Sequence, residues 1–203
     1  MDLSLLEKPR ALAVYTVEMG FVKDWFARRE AGGARSCYVY IVERPDGTRD
    51  NAVSLLASDV VAQHGLVPEV IMGRCDRFEA DEKICPENFE PNPLFIDLLH
   101  DVVAREADRL PNVIAAAQQQ QHGFILMLDM RTLMHPGTIP SLVDIIGQFA
   151  VRDGVIVPES YRRNDDHLLF SDDGLFQLDD ELDGKLMDRL TQRVMAKRAI
   201  GRP

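Results

Sequence analysis

Residues 145–157 read IIGQFAVRDGVIV, two apolar runs joined by Arg152-Asp153-Gly154. Asp-Gly between apolar runs is a strong hairpin signal, because the favoured two-residue turn needs positive φ at both central positions. A hairpin makes its two strands antiparallel neighbours. Upstream, Phe124–Leu128 (FILML) is wholly apolar, which predicts a strand in the middle of a sheet. Ser36–Glu43 (SCYVYIVE) is β-branched and aromatic and predicts another strand. Val67–Met72 is a further strand candidate, with Pro68 at its start or edge. His167–Phe170 and Leu175–Leu178 are short ones around the Asp172-Asp173-Gly174 turn.

Helix signals lie between these runs. Asn92 can cap a helix that opens on Pro93, and Leu94, Phe95, Leu98, Leu99, Val102 and Val103 form its apolar stripe. Pro111 predicts a second helix, through Gln121, stopped by Gly123. Asp180–Ala199 places acids in its first turn and Lys197 and Arg198 in its last, the order that complements a helix dipole. Near the start, Leu12, Tyr15, Met19, Val22 and Phe26 recur at helical spacing. They predict a helix closed by Gly32-Gly33, with a strand over Ala11–Tyr15 as the alternative. After a Pro45-Asp46-Gly47 turn, Val53, Leu56, Val60 and Val61 fit a helix ended by Gly65, and Val53–Leu55 also fits a return strand. Residues 73–91 carry six acids, two prolines and two cysteines, and read as a long acidic loop.

These elements alternate without a strict βαβ rhythm. The expected fold is α+β, with helices packed on a mixed or mostly antiparallel sheet. The expectation is one compact unit of two lobes, residues 1–90 and 91–203, since no Gly/Ser linker separates them.

Composition narrows the function. The chain has 203 residues, 33 acids against 23 bases, and a formal net charge of −10. Residues 51–130 alone hold 13 acids and five bases. Phosphate binding needs Lys and Arg gathered on one face, so nucleic acid is not an expected partner. The longest unbroken apolar run, Cys37–Val42, is far short of the roughly 20 residues a membrane helix requires. The opening MDLSLLEKPR lacks the basic and apolar regions of a signal peptide. Three cysteines do not make a disulfide framework. The expected location is therefore the cytoplasm.

The strong catalytic signatures are missing. The sequence contains no G-x-x-x-x-G-K-[ST], G-x-G-x-x-G, H-E-x-x-H or G-x-S-x-G. Weaker constellations remain. Asp129, Arg131 and His135 follow the FILML run, where residues leaving a buried strand often line a ligand crevice. Asp can orient His as a base, Arg can hold an anion, and His167 can join them. Cys75, Cys85, His64 and His100 lack zinc-ligand spacing. The adjacent aspartates at 165–166 and 172–173 do not fit a calcium loop. Tyr161-Arg162-Arg163-Asn164 reads as a solvated basic loop able to grip an acidic partner. Two readings stay open. The first is a non-catalytic interaction or regulatory protein, with a protein partner or a homodimer. The alternative is a small-molecule-binding protein or enzyme with its site at Asp129, Arg131, His135 and His167. No cofactor or metal is expected.

Overall fold

The computed structural model describes residues 11–17, 37–43, 48–75, 86–131 and 139–200. Its fold is α+β, and every described strand pairing is antiparallel. Internal contacts divide the chain into two compact units. One joins Met1–Ile96 with Met187–Pro203, and the other is Asp97–Leu186.

The first unit is built on a five-stranded meander. Its strands are β1 (Ala11–Val17), β2 (Cys37–Glu43), β3 (Arg49–Ser54), β4 (Ile71–Cys75) and β5 (Phe89–Pro91), adjacent in that order. Successive side chains of a strand point to opposite faces. Val39 and Tyr40 are both 0% exposed, so β2 is covered on both faces. The Tyr40 hydroxyl donates to Leu56 O at 2.6 Å, and burial pushes the phenol's pKa up, which keeps the proton on the donor. Ser54 Oγ donates to Val70 O at 2.7 Å.

Two expectations are corrected in this unit. Ala11–Val17 is a strand, the alternative weighed for that stretch, not the start of a helix. It pairs with β2 from Ala11↔Val42 to Val17↔Cys37. The helical spacing of Leu12 and Tyr15 yields to the pairing edge that β2 presents. Met19, Val22 and Phe26 lie outside the described residues. The 73–91 segment is not all loop, because β4 runs to Cys75 and β5 resumes at Phe89. Between β3 and β4 lies the short helix α1 (Ser58–His64), which ends at Gly65 with φ 78°. The Val67–Met72 strand opens later than expected, because Pro68–Val70 is a 3₁₀ turn.

Asn92 anchors the start of α2 (Pro93–Glu106). Its side-chain oxygen accepts from Leu94 N at 3.1 Å, while its amide donates to Pro68 O and Ile71 O at 2.7 and 2.6 Å. One residue both caps the helix and ties it to the chain ahead of β4.

The second unit holds the rest of α2, then α3 (Pro111–Gln120) and a sheet of β6 (Gly123–Leu128), β7 (Ile145–Arg152), β8 (Val155–Ile156) and β9 (Arg162–Arg163). The order is β6-β7-β8, with β9 pairing on β7 as well. The β7–β8 turn has Asp153 at φ 53° and Gly154 at φ 73°, the two positive values the Asp-Gly signal demands. Helix α3 packs against β6 and β8. A two-stranded ribbon, β10 (Phe170–Ser171) with β11 (Gly174–Leu175), follows.

Two features depart from the apolar reading of FILML. Among the described residues β6 has a strand on one side only, so it is an edge and not the middle of the sheet. Phe124 and Leu126 are 51% and 42% exposed, while Ile125 and Met127 are buried. Helix α4 (Asp180–Ile200) opens with Asp180, Glu181 and Asp183 and buries Leu182, Leu186, Leu190 and Val194 in a stripe. No described helix is long and apolar enough to cross a membrane.

Candidate functional site

The chain leaves β6 at Asp129, and the second unit closes around it. Asp129 N donates to Asp144 O at 2.8 Å and Met130 N to Gln177 O at 2.9 Å. One carboxylate oxygen of Asp129, Oδ1, accepts from the backbone N–H of Arg131 at 3.0 Å and of Gln177 at 2.9 Å. The other, Oδ2, lies 3.0 Å from His167 Nε2 and 3.4 Å from Arg131 Nε.

Arg131 is spent on the protein. Its Nε donates to Asp144 Oδ1 at 3.1 Å and Nη1 to Gly174 O at 3.0 Å. Nη2 donates to Val143 O at 2.9 Å and Leu168 O at 2.7 Å. Those bonds use four of the five guanidinium donors. The side chains of Asp129, Arg131, His167 and Asp144 are 0, 0, 2 and 9% exposed. A buried guanidinium is tolerable when it is paired and richly hydrogen-bonded, as this one is.

Three of the four sequence-predicted site residues thus meet: Asp129, Arg131 and His167. His135 lies outside the described residues. Asp144 completes the group and was missed, because an aspartate just ahead of an apolar strand carries no motif. An aspartate oriented on an imidazole is a general-base arrangement. Here the ring stands edge-on to Phe176 at 6.4 Å and 87°, and its 2% exposure turns it inward. The geometry best matches a polar clasp. Through Arg131 it ties the end of β6 to the approaches of β7, to β11 and to Leu168.

A second polar group surrounds Tyr161. The Tyr161-Arg162-Arg163-Asn164 run is only in part the solvated loop expected of it: Arg162 and Arg163 are exposed but form β9, and Tyr161 and Asn164 are half-buried. Tyr161 packs its ring 5.1 Å from Phe149 and places its hydroxyl 2.7 Å from His100 Nδ1. Gly147 makes room for it: a Cβ there would stand 2.6 Å from the Tyr161 hydroxyl and 2.7 Å from Arg162 O. Burial first, then the neighbouring Arg163 and His167, lowers the His100 pKa to about 4. Burial raises the Tyr161 pKa. Both shifts keep the phenol protonated and the imidazole neutral, and the direction of their hydrogen bond follows the histidine tautomer. Arg163 bonds Asp97 and Asp165 at 2.9 and 2.5 Å, and these bonds raise its pKa. Asn164 donates to Leu142 O and Ile145 O, both at 2.7 Å.

No protein-family model, curated protein or solved structure matches this chain. Its functional reading therefore rests on its own geometry. Cys37 and Cys75 are buried, and Cys85 lies outside the described residues. Among the described residues, no group of three or more His, Cys, Asp and Glu is placed to hold a metal ion. Among the apolar side chains that the second unit turns outward are Phe124 and Leu126 on the edge strand.

Proposed function

We propose that this chain is a non-catalytic interaction protein that docks a partner segment along the free edge of β6. The observation that carries the reading is an edge strand, GFILML, with no charge and no proline and with two large apolar side chains half-exposed. Proteins commonly blunt such an edge with charge, proline or a covering element. Strand addition uses the unblunted kind: backbone bonds give affinity and alternate side chains give specificity. The inward clasp at Asp129, Arg131 and His167 supports a scaffold role for the residues that sequence alone offers as a ligand site. An odd count of three cysteines fits a reducing compartment, hence the cytoplasm. The net charge of −10 disfavours nucleic acid as the partner.

The test is an array of extended peptides with alternating apolar residues, probed with the full chain and with Leu126→Lys. Peptides held by the wild type and lost by the variant, with the circular dichroism spectrum unchanged, are expected. Equal binding by both proteins, or by neither, overturns the reading.

The Asp129–His167 contact favours one second reading, a small-molecule site or enzyme working through an aspartate-oriented imidazole. It requires an opening that uncovers His167. A thermal-shift screen against metabolites, giving a shift that His167→Gln abolishes, would select it.

A further inference from the structure

Hydrogen bonds on the far side of β7 determine which backbone groups of β6 face outward. Ala150 N bonds Ser160 Oγ at 3.1 Å, and Ala150 O accepts from Val157 N at 2.9 Å. Both groups of Ala150 therefore point away from β6. Ala150 stands opposite Phe124, and Gln148 stands opposite Leu126, in an unshifted register. In an antiparallel ladder, a residue opposite one that points away also points away. The N–H and C=O of Phe124 and of Leu126 thus line the free edge. The register breaks between Met127 and Leu128. The regular edge accordingly offers two outward residues, two apart, and they are the two with exposed apolar side chains.

That pattern is its own complement. We propose that the occupant of the edge is a second copy of this chain, its β6 antiparallel to the first about a two-fold axis at Ile125. This rests on the reading of β6 as a docking edge. In that register Phe124 stands opposite the partner's Leu126, and Leu126 opposite the partner's Phe124. Each pair exchanges two backbone bonds, so all outward groups of the regular stretch are used. The exposed rings and leucines meet on one face as aromatic–aliphatic cross-strand pairs. A foreign segment would have to reproduce this spacing, whereas a second copy has it by identity. Charge shapes the pairing too. Gly123–Leu128 is uncharged inside a chain of net charge −10. Two copies repel at a distance and attract along this stripe. Salt screens the repulsion, so it strengthens the pair; a basic partner would instead be weakened by salt. One strand pair is a smaller contact than the roughly 1,200–2,000 Å² of a standard stable interface, so the dimer is expected to be weak and reversible.

Sedimentation velocity of the full chain, from micromolar to millimolar concentration, tests this. The expected result is a monomer–dimer equilibrium that tightens several-fold between low and high salt. Leu126→Lys is expected to weaken it at least tenfold, with an unchanged circular dichroism spectrum. The matching change at another exposed apolar residue, Met195→Lys, is expected to leave it intact. Register is tested separately. Phe124→Cys mixed with Leu126→Cys is expected to give a cross-linked heterodimer under mild oxidation, and neither variant alone is expected to cross-link through its new thiol. A dimer indifferent to Leu126→Lys overturns the inference. So does a chain that stays monomeric throughout, and if that monomer still loses apolar peptides on Leu126→Lys, the docking edge itself stands with a different occupant.

Discussion

Replacing Arg131 by methionine removes the centre of the polar clasp and leaves Asp129 and Asp144 buried with fewer partners. Breaking a buried pair from one side costs about 3–5 kcal/mol, so Arg131→Met is expected to unfold at markedly lower urea concentration. Arg131→Lys is expected to recover little of this, because a single ammonium cannot reach Gly174 O, Val143 O and Leu168 O together. His100 carries a separate prediction. Its folded pKa, about 4, lies below the ordinary 6.5, so the unfolded state binds more protons between those values. Stability must then fall as pH drops from about 6.5 towards 4, by about 2 kcal/mol at pH 5 for this one group. Urea unfolding at pH 7 and pH 5 is expected to show that loss in the wild type and most of it absent in His100→Gln. Part of this polar architecture was legible in sequence: Asp129, Arg131 and His167 stood out as polar groups beside apolar runs. Asp144 and His100 did not, because each sits in or against an apolar stripe whose pattern announces packing only. Tyr161 was hidden by its basic neighbours. Burial of one residue in a charged run depends on a glycine fourteen positions earlier in the chain, Gly147.

At the scale of elements, glycines that fix turns and close approaches are the sensitive points. Gly147→Ala puts a methyl group into Tyr161 and the β9 backbone. Overpacking of this kind costs about 1–3 kcal/mol, and calorimetry is expected to show a clearly lowered melting temperature. Gly154→Ala, at φ 73° in the β7–β8 turn, is expected to cost at least about 1 kcal/mol through backbone strain, with the new Cβ also 3.0 Å from Gln121 Nε2. Punctuation of this sort was what sequence reported best. Asp153-Gly154, Asn92-Pro93, Pro111 and Gly65 mark boundaries because their chemistry is local. Periodicity was weaker where the neighbour decides. Leu12 and Tyr15 fit one face of a helix, yet β2 supplies a pairing edge and β1 forms on it. FILML has the composition of a central strand, but composition does not count neighbours, and among the described residues only β7 lies beside β6.

For the whole molecule, charge and the edge strand act against each other. A net charge of −10 keeps copies apart, while an uncharged apolar edge invites strand addition. Heating loosens structure and salt removes the repulsion, so aggregation on heating is expected to begin earlier in high salt. Leu126→Lys is expected to delay it without lowering the melting temperature, as light scattering recorded alongside calorimetry would show.

The division of the chain has a consequence for its synthesis. The unit that contains β1 to β5 also claims Met187–Pro203, with Leu190 and Val194 fully buried. Asp97–Leu186 is thus an insertion within the other unit's sequence. A ribosome releases residues in order, and domains ordinarily fold in that order. Here the five-stranded meander emerges before the inserted unit yet waits for a helix segment made after it, while the inserted unit has all of its residues sooner. The later-born half is therefore the one equipped to finish first, and the nascent meander is the part that most needs shielding until Leu190 and Val194 arrive.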